Sequence, residues 1–245
     1  GLFDDVYGIS PRVKVGGQLF AAAAIASEHM GEDLINNLLA VVGLELPFVI
    51  VYVLGTVLIA AFVVGGCNAM NLLDGLDGLA AGVAGIAMGG FLLIAALVAT
   101  RVTADAASPG EAVSLLTAHG YPARIVLCLA AIGAILGFLP YNFNPATIFM
   151  GDAGSLLLGF LCTTTILMFA SIPGQGMLII TAALIVFALP ITDTSLAIFR
   201  RKMAGQPIFS ADNKHIHHLL RRSGLSVRQS VLVMYSAATM FAALG

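Results

Sequence analysis

Long apolar runs, separated by short polar segments, are the main feature of the chain. Five runs approach or reach the roughly 20 residues that a helix needs to cross about 30 Å of hydrocarbon. They are Pro47–Val64, Leu79–Thr100, Ile125–Pro140, Leu156–Ser171 and Gly176–Phe199. A sixth run, Gln229–Gly245, stops at the chain end, and a seventh, Val13–Ser27, is short and contains Gln18. The pattern predicts an all-α, polytopic transmembrane helical bundle with about seven spans.

The composition also indicates that lipid surrounds most of the protein. Of 245 residues, 59% are hydrophobic and only 10% are charged, and the mean hydropathy is +1.00. A soluble domain has about a quarter of its residues charged. No Gly/Ser linker or internal repeat divides the chain, so residues 1–245 are predicted to form one membrane-embedded domain. Because the sequence opens at Gly1, inside a polar motif, we expect a fragment of a longer chain that lacks its N-terminal helices.

The segments between the predicted spans fall alternately on two sides of the membrane. One side carries nine of the eleven lysines and arginines, so the positive-inside rule makes it the cytoplasmic side. Its segments are Gly1–Arg12, Cys67–Gly78, Tyr141–Gly154 and Arg200–Arg228. Every unusual cluster of polar residues lies in one of these segments. We therefore predict one composite site at the cytoplasmic membrane surface.

The first polar cluster combines two amides and two carboxylates: Asn68, Asn71, Asp74 and Asp77. A spacing of three places them on one helical face or around one turn. Amide and carboxylate oxygens can ligate a hard cation or bind a base and a ribose. Capping of the helix that follows is the alternative, but a cap needs one such residue and not four.

Three further acids are candidates for metal and phosphate chemistry. Asp152 stands between glycines at the entry to a predicted span, where it either caps the helix or binds Mg²⁺ beside a closely approaching ligand. Asp4 and Asp5 lie at the membrane border. They are either solvated, or they share cation binding and proton abstraction. The residues alone leave both alternatives open.

A histidine segment lies in the last predicted cytoplasmic loop. His215, His217 and His218 are followed by Arg221. No fourth ligand stands at a spacing typical of zinc. Imidazole and guanidinium donors both suit phosphate oxygens. The segment is therefore predicted to bind phosphate.

Asp193 lies within an apolar run, near its cytoplasmic end. A carboxylate at such depth is expensive and is usually paired or functional. Arg200 and Arg201 lie two turns further on and could reach back to it. We interpret Asp193 as a partner in a structural ion pair in preference to a catalytic residue.

Four motifs follow one another along the chain. They are Asp4-Asp5 with Ser10-Pro-Arg-Val-Lys, Asn68-x-x-Asn-x-x-Asp-Gly-x-Asp-Gly-Leu, Phe149-Met-Gly-Asp-Ala-Gly-Ser and His215-Ile-His-His. In type and order they resemble the polyprenyl-phosphate N-acetylhexosamine-1-phosphate transferase family, and the resemblance covers essentially the whole chain. The histidine pattern and Pro190-x-x-Asp-Thr are similar to the branch that uses UDP-GlcNAc and undecaprenyl phosphate. The branch that uses UDP-MurNAc-pentapeptide typically shows Pro-x-His-His-His instead.

This resemblance implies a Mg²⁺-dependent glycosyl-1-phosphate transferase, with Mn²⁺ as an alternative ion. The enzyme would transfer N-acetylglucosamine-1-phosphate from UDP-GlcNAc to undecaprenyl phosphate and release UMP, at the cytoplasmic face of the plasma membrane. The implied roles are catalysis by Asp4, Asp5 and Asp152, metal binding by Asn71 and Asp152, and substrate binding by Asn68, Asp74, Asp77, His215, His217, His218 and Arg221. The product would serve cell wall, lipopolysaccharide or teichoic acid synthesis. A homodimer is left open, and nucleic acid is not an expected partner.

Two other readings compete with this one. A CDP-alcohol phosphotransferase shares Asp74-Gly-Leu-Asp-Gly-Leu, but it needs an arginine where this chain has Gly82 and further acids that residues 83–104 lack. A transporter would place carboxylates near mid-membrane along a pathway, whereas those predicted here lie at the cytoplasmic ends, except for Asp193. Within the resembling family, the UDP-MurNAc-pentapeptide transferase is the alternative.

Overall fold

The computed structural model describes residues 2–172, 175–205 and 215–245, and their regular structure is helical throughout. Parts of two predicted loops lie outside the described residues: 173–174, and 206–214 with Asp212 and Lys214. The described helices are α1 (Leu2–Tyr7), α2 (Pro11–Ala26), α3 (Met30–Val42), α4 (Phe48–Leu73), α5 (Leu79–Asp105), α6 (Pro109–Ala118), α7 (Tyr121–Asn142), α8 (Gly151–Met168), α9 (Gly176–Val186), α10 (Ala188–Met203), α11 (Ile216–Arg222) and α12 (Val227–Leu244). A 3₁₀ turn, Phe169–Ser171, extends α8.

Five of these helices are long and apolar enough to cross a membrane: α4, α5, α7, α8 with its 3₁₀ turn, and α12. The pair α9 and α10, bent by 72° at its break, makes a sixth if it is counted as one span. The predicted all-α, polytopic fold is confirmed, and the chain is a multi-pass membrane protein. The expected count of seven spans is too high, because only five or six described elements have the length and composition needed to cross a membrane. The run Val13–Ser27 forms α2, whose 16 residues reach about 24 Å and fall short of the hydrocarbon thickness.

Helix α4 continues past Val64, the predicted end of its apolar run, to Leu73. Its last turns therefore carry Asn68 and Asn71 on a helix. The side chain of Asn68 donates a hydrogen bond to Oε1 of Gln18 on α2, over 2.9 Å. The side chain of Asn71 donates to Oδ1 of Asp152 on α8, also over 2.9 Å. Because neighbouring helices satisfy these amides, α4 extends further than hydropathy alone predicts.

Helices α4 and α8 approach each other closely through small residues. A Cβ atom on Gly159 of α8 would lie 2.6 Å from the carbonyl oxygen of Gly66 and 2.6 Å from the Cα atom of Cys67 on α4. Small residues of this kind let helix backbones pack together in lipid. The contact holds the C-terminal end of α4 beside the N-terminal end of α8.

Helix α12 fixes the connection between α4 and α5. The hydroxyl of Tyr235 donates to the carbonyl oxygen of Gly78 over 2.5 Å. The backbone N–H of Gly78 donates to Oδ1 of Asn142, at the end of α7, over 3.1 Å. Two helices, α12 and α7, thus hold the end of the Asp74–Asp77 loop at the end of the bundle where α4 ends.

Arg124 of α7 is buried at the other end of α8. Its guanidinium donates to the carbonyl oxygen of Met168, over 3.0 Å from Nε, and to that of His119. It also lies over the rings of Tyr121 and Phe169, at 5.1 and 5.8 Å from their centroids. Since the last carbonyls of a helix have no partner within it, Arg124 satisfies the end of α8 far from the polar motifs.

Candidate active site

A cavity of about 460 Å³ opens where α4 ends and α8 begins. Its walls are formed by Asn71, Asp74, Gly75, Leu76, Asp77, Asn142, Phe149, Met150, Gly151 and Asp152. Two of the predicted motifs, far apart in the chain, therefore face one space. Three carboxylates and one amide from the predicted site residues share its walls.

Asp5 holds the start of α8. Its Oδ1 accepts a hydrogen bond from the backbone N–H of Asp152 over 2.8 Å, and its Oδ2 accepts from that of Ala153 over 2.9 Å. The first N–H groups of a helix have no partner within it, and the helix dipole favours an anion there. Gly151, at φ +64°, brings the turn so close that a Cβ atom would lie 3.0 Å from the Asp5 carboxylate oxygens. The structure thus places Asp5 on the backbone that carries Asp152, and its catalytic role stays a prediction.

The ammonium group of Lys14 joins Asp4 to Asp152. It forms an ion pair with Oδ2 of Asp4 and another, over 2.5 Å, with Oδ2 of Asp152. The pKa of Asp4 is lowered to about 2; the largest cause is its hydrogen bond with Lys14, and the next is hydrogen bonding with Asp152. Two predicted acids therefore converge on one cation beside the cavity. Lys14 was not among the predicted site residues, although it ends the Ser10-Pro-Arg-Val-Lys motif, which could have indicated its role.

The two acids after α4 have different surroundings. Oδ2 of Asp77 accepts hydrogen bonds from the side chain of Asn144 over 2.9 Å and from the backbone N–H of Ala146 over 3.1 Å, so it anchors the loop that leads to α8. Burial, with repulsion from the carboxylates of Asp152 and Asp77, raises the pKa of Asp74 to about 6. A cation bound in the cavity would offset the cost of ionising Asp74.

The histidine segment lies behind the cavity wall. His217 is 1% exposed, and neither of its ring nitrogens has a hydrogen-bond partner among the described residues. A Cβ atom on Gly75 would lie 2.4 Å from its Nε2, so the ring sits directly against this cavity-lining glycine. Burial, with the neighbouring His218, lowers the pKa of His217 to about 4, so the ring is neutral at pH 7.

Asn68 and Arg221 also lie outside the cavity lining. The side chain of Asn68 faces α2, where it binds Gln18, and it also donates to the carbonyl oxygen of Val64. Arg221 is exposed, and its Nη1 donates to the carbonyl oxygen of Leu225 over 2.5 Å. Their roles in substrate binding stay predictions, and the geometry gives them less support than it gives Asn71 or Asp152.

Asp193 has partners that the ion-pair interpretation did not anticipate. Its Oδ2 accepts a hydrogen bond from Nδ1 of His215 over 2.8 Å, and its Oδ1 accepts from the backbone N–H of Ile216 over 2.9 Å. Both oxygens thus bind the histidine segment. Sequence position could not show this, because Asp193 lies on α10 whereas His215 and Ile216 lie at the start of α11.

The family model described as glycosyl transferase family 4 matches residues 1–170, a stretch that contains every residue of the cavity wall. The chain belongs to glycosyl transferase family 4.

Several known proteins are similar to this chain over nearly its whole length. A probable undecaprenyl-phosphate N-acetylglucosaminyl 1-phosphate transferase of Bacillus subtilis (strain 168) is 38% identical over 241 residues, which are 98% of this chain and 60% of the relative. A decaprenyl-phosphate N-acetylglucosaminephosphotransferase of Mycobacterium tuberculosis (strain CDC 1551 / Oshkosh) is 36% identical over 96% of this chain and 57% of the relative. A phospho-N-acetylmuramoyl-pentapeptide-transferase of Bacillus cytotoxicus is 31% identical over 97% of this chain and 64% of the relative. The chain thus spans less than two thirds of the length of each of these curated relatives.

Proposed function

We propose that the protein transfers N-acetylglucosamine-1-phosphate from UDP-GlcNAc to a polyprenyl phosphate, undecaprenyl phosphate above all, with release of UMP. The observation that carries the proposal is the convergence of Asp4 and Asp152 on Lys14 beside a cavity lined by Asp74 and Asp77. Membership of glycosyl transferase family 4 and the printed names of the relatives support the same chemistry. We place the reaction at the cytoplasmic face of the plasma membrane, because most basic residues flank the motif-bearing segments.

The donor set of the cavity fits Mg²⁺, with Mn²⁺ as an alternative. Among the described residues no group of three His, Cys, Asp or Glu side chains is arranged as a ready-made metal cage. Mg²⁺ does not require one, because it keeps several waters and is usually bound by one or two carboxylates together with substrate phosphates. Asp152 and Asn71, which touch each other, would hold it, with Asp74 nearby as a further carboxylate. The bound ion would neutralise the donor pyrophosphate and the departing UMP.

Lys14 and Asp4 would serve the acceptor. A phosphate monoester is largely dianionic at pH 7, with a second pKa of about 6, so it needs little help to lose its proton. A carboxylate whose pKa lies at about 2 is a weak general base at pH 7. We therefore assign Asp4 to holding Lys14, and Lys14 to attracting and orienting the acceptor phosphate.

The net reaction forms one P–O bond and breaks another. An oxygen of the polyprenyl phosphate becomes bonded to the sugar-bearing phosphorus of the donor. The bond from that phosphorus to the bridging oxygen breaks, and UMP leaves with the electron pair. Asp5 would keep Asp152 in place through the first turn of α8, and His217, His218 and His215 would bind the donor phosphate or sugar.

A membrane assay with the full-length protein tests the proposal. Membranes are incubated with radiolabelled UDP-GlcNAc, undecaprenyl phosphate and Mg²⁺, and the label in the organic phase is counted. We expect lipid-linked product with the wild type and none with Asp152→Asn, whereas Asp105→Asn, at the exposed end of α5, keeps its activity.

Other outcomes would redirect the assignment. Product from UDP-MurNAc-pentapeptide alone would favour the other branch of the family. Uptake of labelled solute into vesicles, without any lipid-linked product, would favour a transporter and contradict the proposal.

A further inference from the structure

Asp193 is a buried carboxylate outside the cavity, on the second half of the bent helix pair. It is 1% exposed, and its two partners both belong to the segment that begins α11. A carboxylate buried at this depth is costly unless it is paired and hydrogen-bonded. Its partner His215, 3% exposed, is buried with it.

The two hydrogen bonds fix two different properties of the segment. Because Nδ1 of His215 donates to the carboxylate of Asp193, this hydrogen bond selects a ring form that carries a proton on Nδ1. Because the N–H of Ile216 donates to the other oxygen, the first residue of α11 is held at the wall of α10. One side chain thus sets both the tautomer of His215 and the position of the following helix.

His215 orients His217 through contact between their rings. The two rings are stacked, with centroids 5.8 Å apart and an angle of 7° between their planes. His218 packs on His217 with centroids 4.3 Å apart. His217 in turn lies against Gly75, in the loop that carries Asp74 and Asp77. A continuous chain of contacts therefore leads from Asp193 to the cavity wall.

His217 provides an independent reason to expect a ligand here. Both of its ring nitrogens are buried and have no partner among the described residues. A buried polar group without a partner has lost its hydrogen bonds to water and gained none in return, so it destabilises the fold. Such a group persists at a functional site when a ligand completes its hydrogen bonds.

We propose that Asp193 is a positioning residue for the nucleotide-sugar site: through His215 it holds His217 against Gly75, at the wall of the cavity that receives the donor. This inference rests on the proposed function. Asp193 touches neither substrate, so its loss should weaken donor use and leave acceptor use unchanged. A purely structural ion pair would lower stability without this selectivity.

Asp193→Asn in the full-length protein isolates the bond to His215. The asparagine oxygen still accepts from Ile216, but the asparagine NH₂ cannot accept from His215. We expect the KM for UDP-GlcNAc to rise about tenfold, since a hydrogen bond to a charged group is lost, while the KM for undecaprenyl phosphate stays within about twofold. Arg124→Gln, which disturbs a buried polar group at the far end of α8, serves as the matched control. It should lower the melting temperature and leave the KM for UDP-GlcNAc unchanged.

A double-mutant cycle shows whether Asp193 acts through His215. If it does, adding Asp193→Asn to His215→Ala should change the KM for UDP-GlcNAc by less than about twofold, because coupled sites are not additive. Independent, multiplicative effects would overturn the inference, and so would equal rises in the KM of donor and acceptor.

The contact itself can be tested without turnover. In ¹⁵N-histidine NMR of the purified protein, the His215 proton should lie on Nδ1 in the wild type and move to Nε2 in Asp193→Asn. An unchanged tautomer would overturn the inference while leaving the proposed function intact. A wild type that shows this tautomer but neither binds UDP-GlcNAc nor makes lipid-linked product would contradict the proposed function, and with it the role of Asp193 at a donor site.

Discussion

Replacement of Asp5 separates a positioning role from a catalytic one. In Asp5→Ala, the N–H groups of Asp152 and Ala153 lose both acceptors and the start of α8 loses its anion. Loss of an N-terminal cap costs about 0.5–2 kcal/mol, and loss of a favourable charge at the helix dipole costs about 0.3–1 kcal/mol. The sum is roughly 1–3 kcal/mol. Asp5→Asn keeps one acceptor oxygen but loses the other and the negative charge, so it should lose somewhat more than half of this.

The effect on turnover should follow the effect on geometry. Asp152 lies in the first turn of α8, and a displacement of about 1 Å at a reacting group can cost about 100-fold in rate. We therefore expect kcat to fall about 100-fold in Asp5→Ala and about tenfold in Asp5→Asn. The melting temperature should fall in the same order, by about 2–4 °C for each kcal/mol in a protein of this size.

The assay combines thermal unfolding in detergent with the lipid-product assay. Asp105→Ala is the control, since it removes an exposed aspartate at the opposite end of a helix and should change neither quantity. If Asp5→Asn and Asp5→Ala are equally inactive and both melt like the wild type, Asp5 takes part in the chemistry and the positioning argument is wrong.

Three further predictions concern the loop at Gly75, the titration of His217 and the sidedness of the membrane. Gly75→Ala should lower the free energy of unfolding by about 1–3 kcal/mol, because the new methyl group overpacks against the buried ring of His217. It should also raise the KM for UDP-GlcNAc. Gly89→Ala, with open space around it, should change neither quantity. The pKa of His217 is lowered from 6.5 to about 4 in the folded protein, so the unfolded chain binds this proton first as the pH falls. The free energy of unfolding should therefore fall by roughly 3 kcal/mol as the pH drops from above 6.5 to below 4. In chemical unfolding at several pH values, His217→Gln should reduce this dependence on pH. A cysteine in place of Ser223 should be shielded from an impermeant thiol reagent in intact cells, whereas a cysteine in place of Ser108 should be labelled. The reverse pattern would refute the cytoplasmic assignment. The three cysteines of this chain are buried, which keeps the background labelling low.

The membrane spans could be predicted from the sequence more completely than the site could. Apolar runs predicted the five long helices, because the hydrocarbon core sets both their length and their composition. The same criterion misplaced the end of α4, since the amides of Asn68 and Asn71 are satisfied by other helices. It also counted α2 as a span, although Lys14 and Gln18 leave only a short apolar stretch there.

The site residues could be predicted by type and only partly by role. Three-residue spacing brought Asn71, Asp74 and Asp77 together, because they are close in the chain. The contacts of Asp5 with α8, and of Asp193 with His215, depend on which helices pack against each other. A single sequence contains no direct signal for that packing.

The position of two labels in the product tests the central claim most directly. The full-length protein is given UDP-GlcNAc with ³²P in the phosphate next to the sugar and ¹⁴C in the sugar, together with undecaprenyl phosphate and Mg²⁺. Transfer of a sugar-1-phosphate predicts that both labels enter the lipid in their original ratio and that unlabelled UMP is released. Lipid that contains ¹⁴C without ³²P, with labelled UDP left in solution, would mean transfer of the sugar alone and would contradict the account.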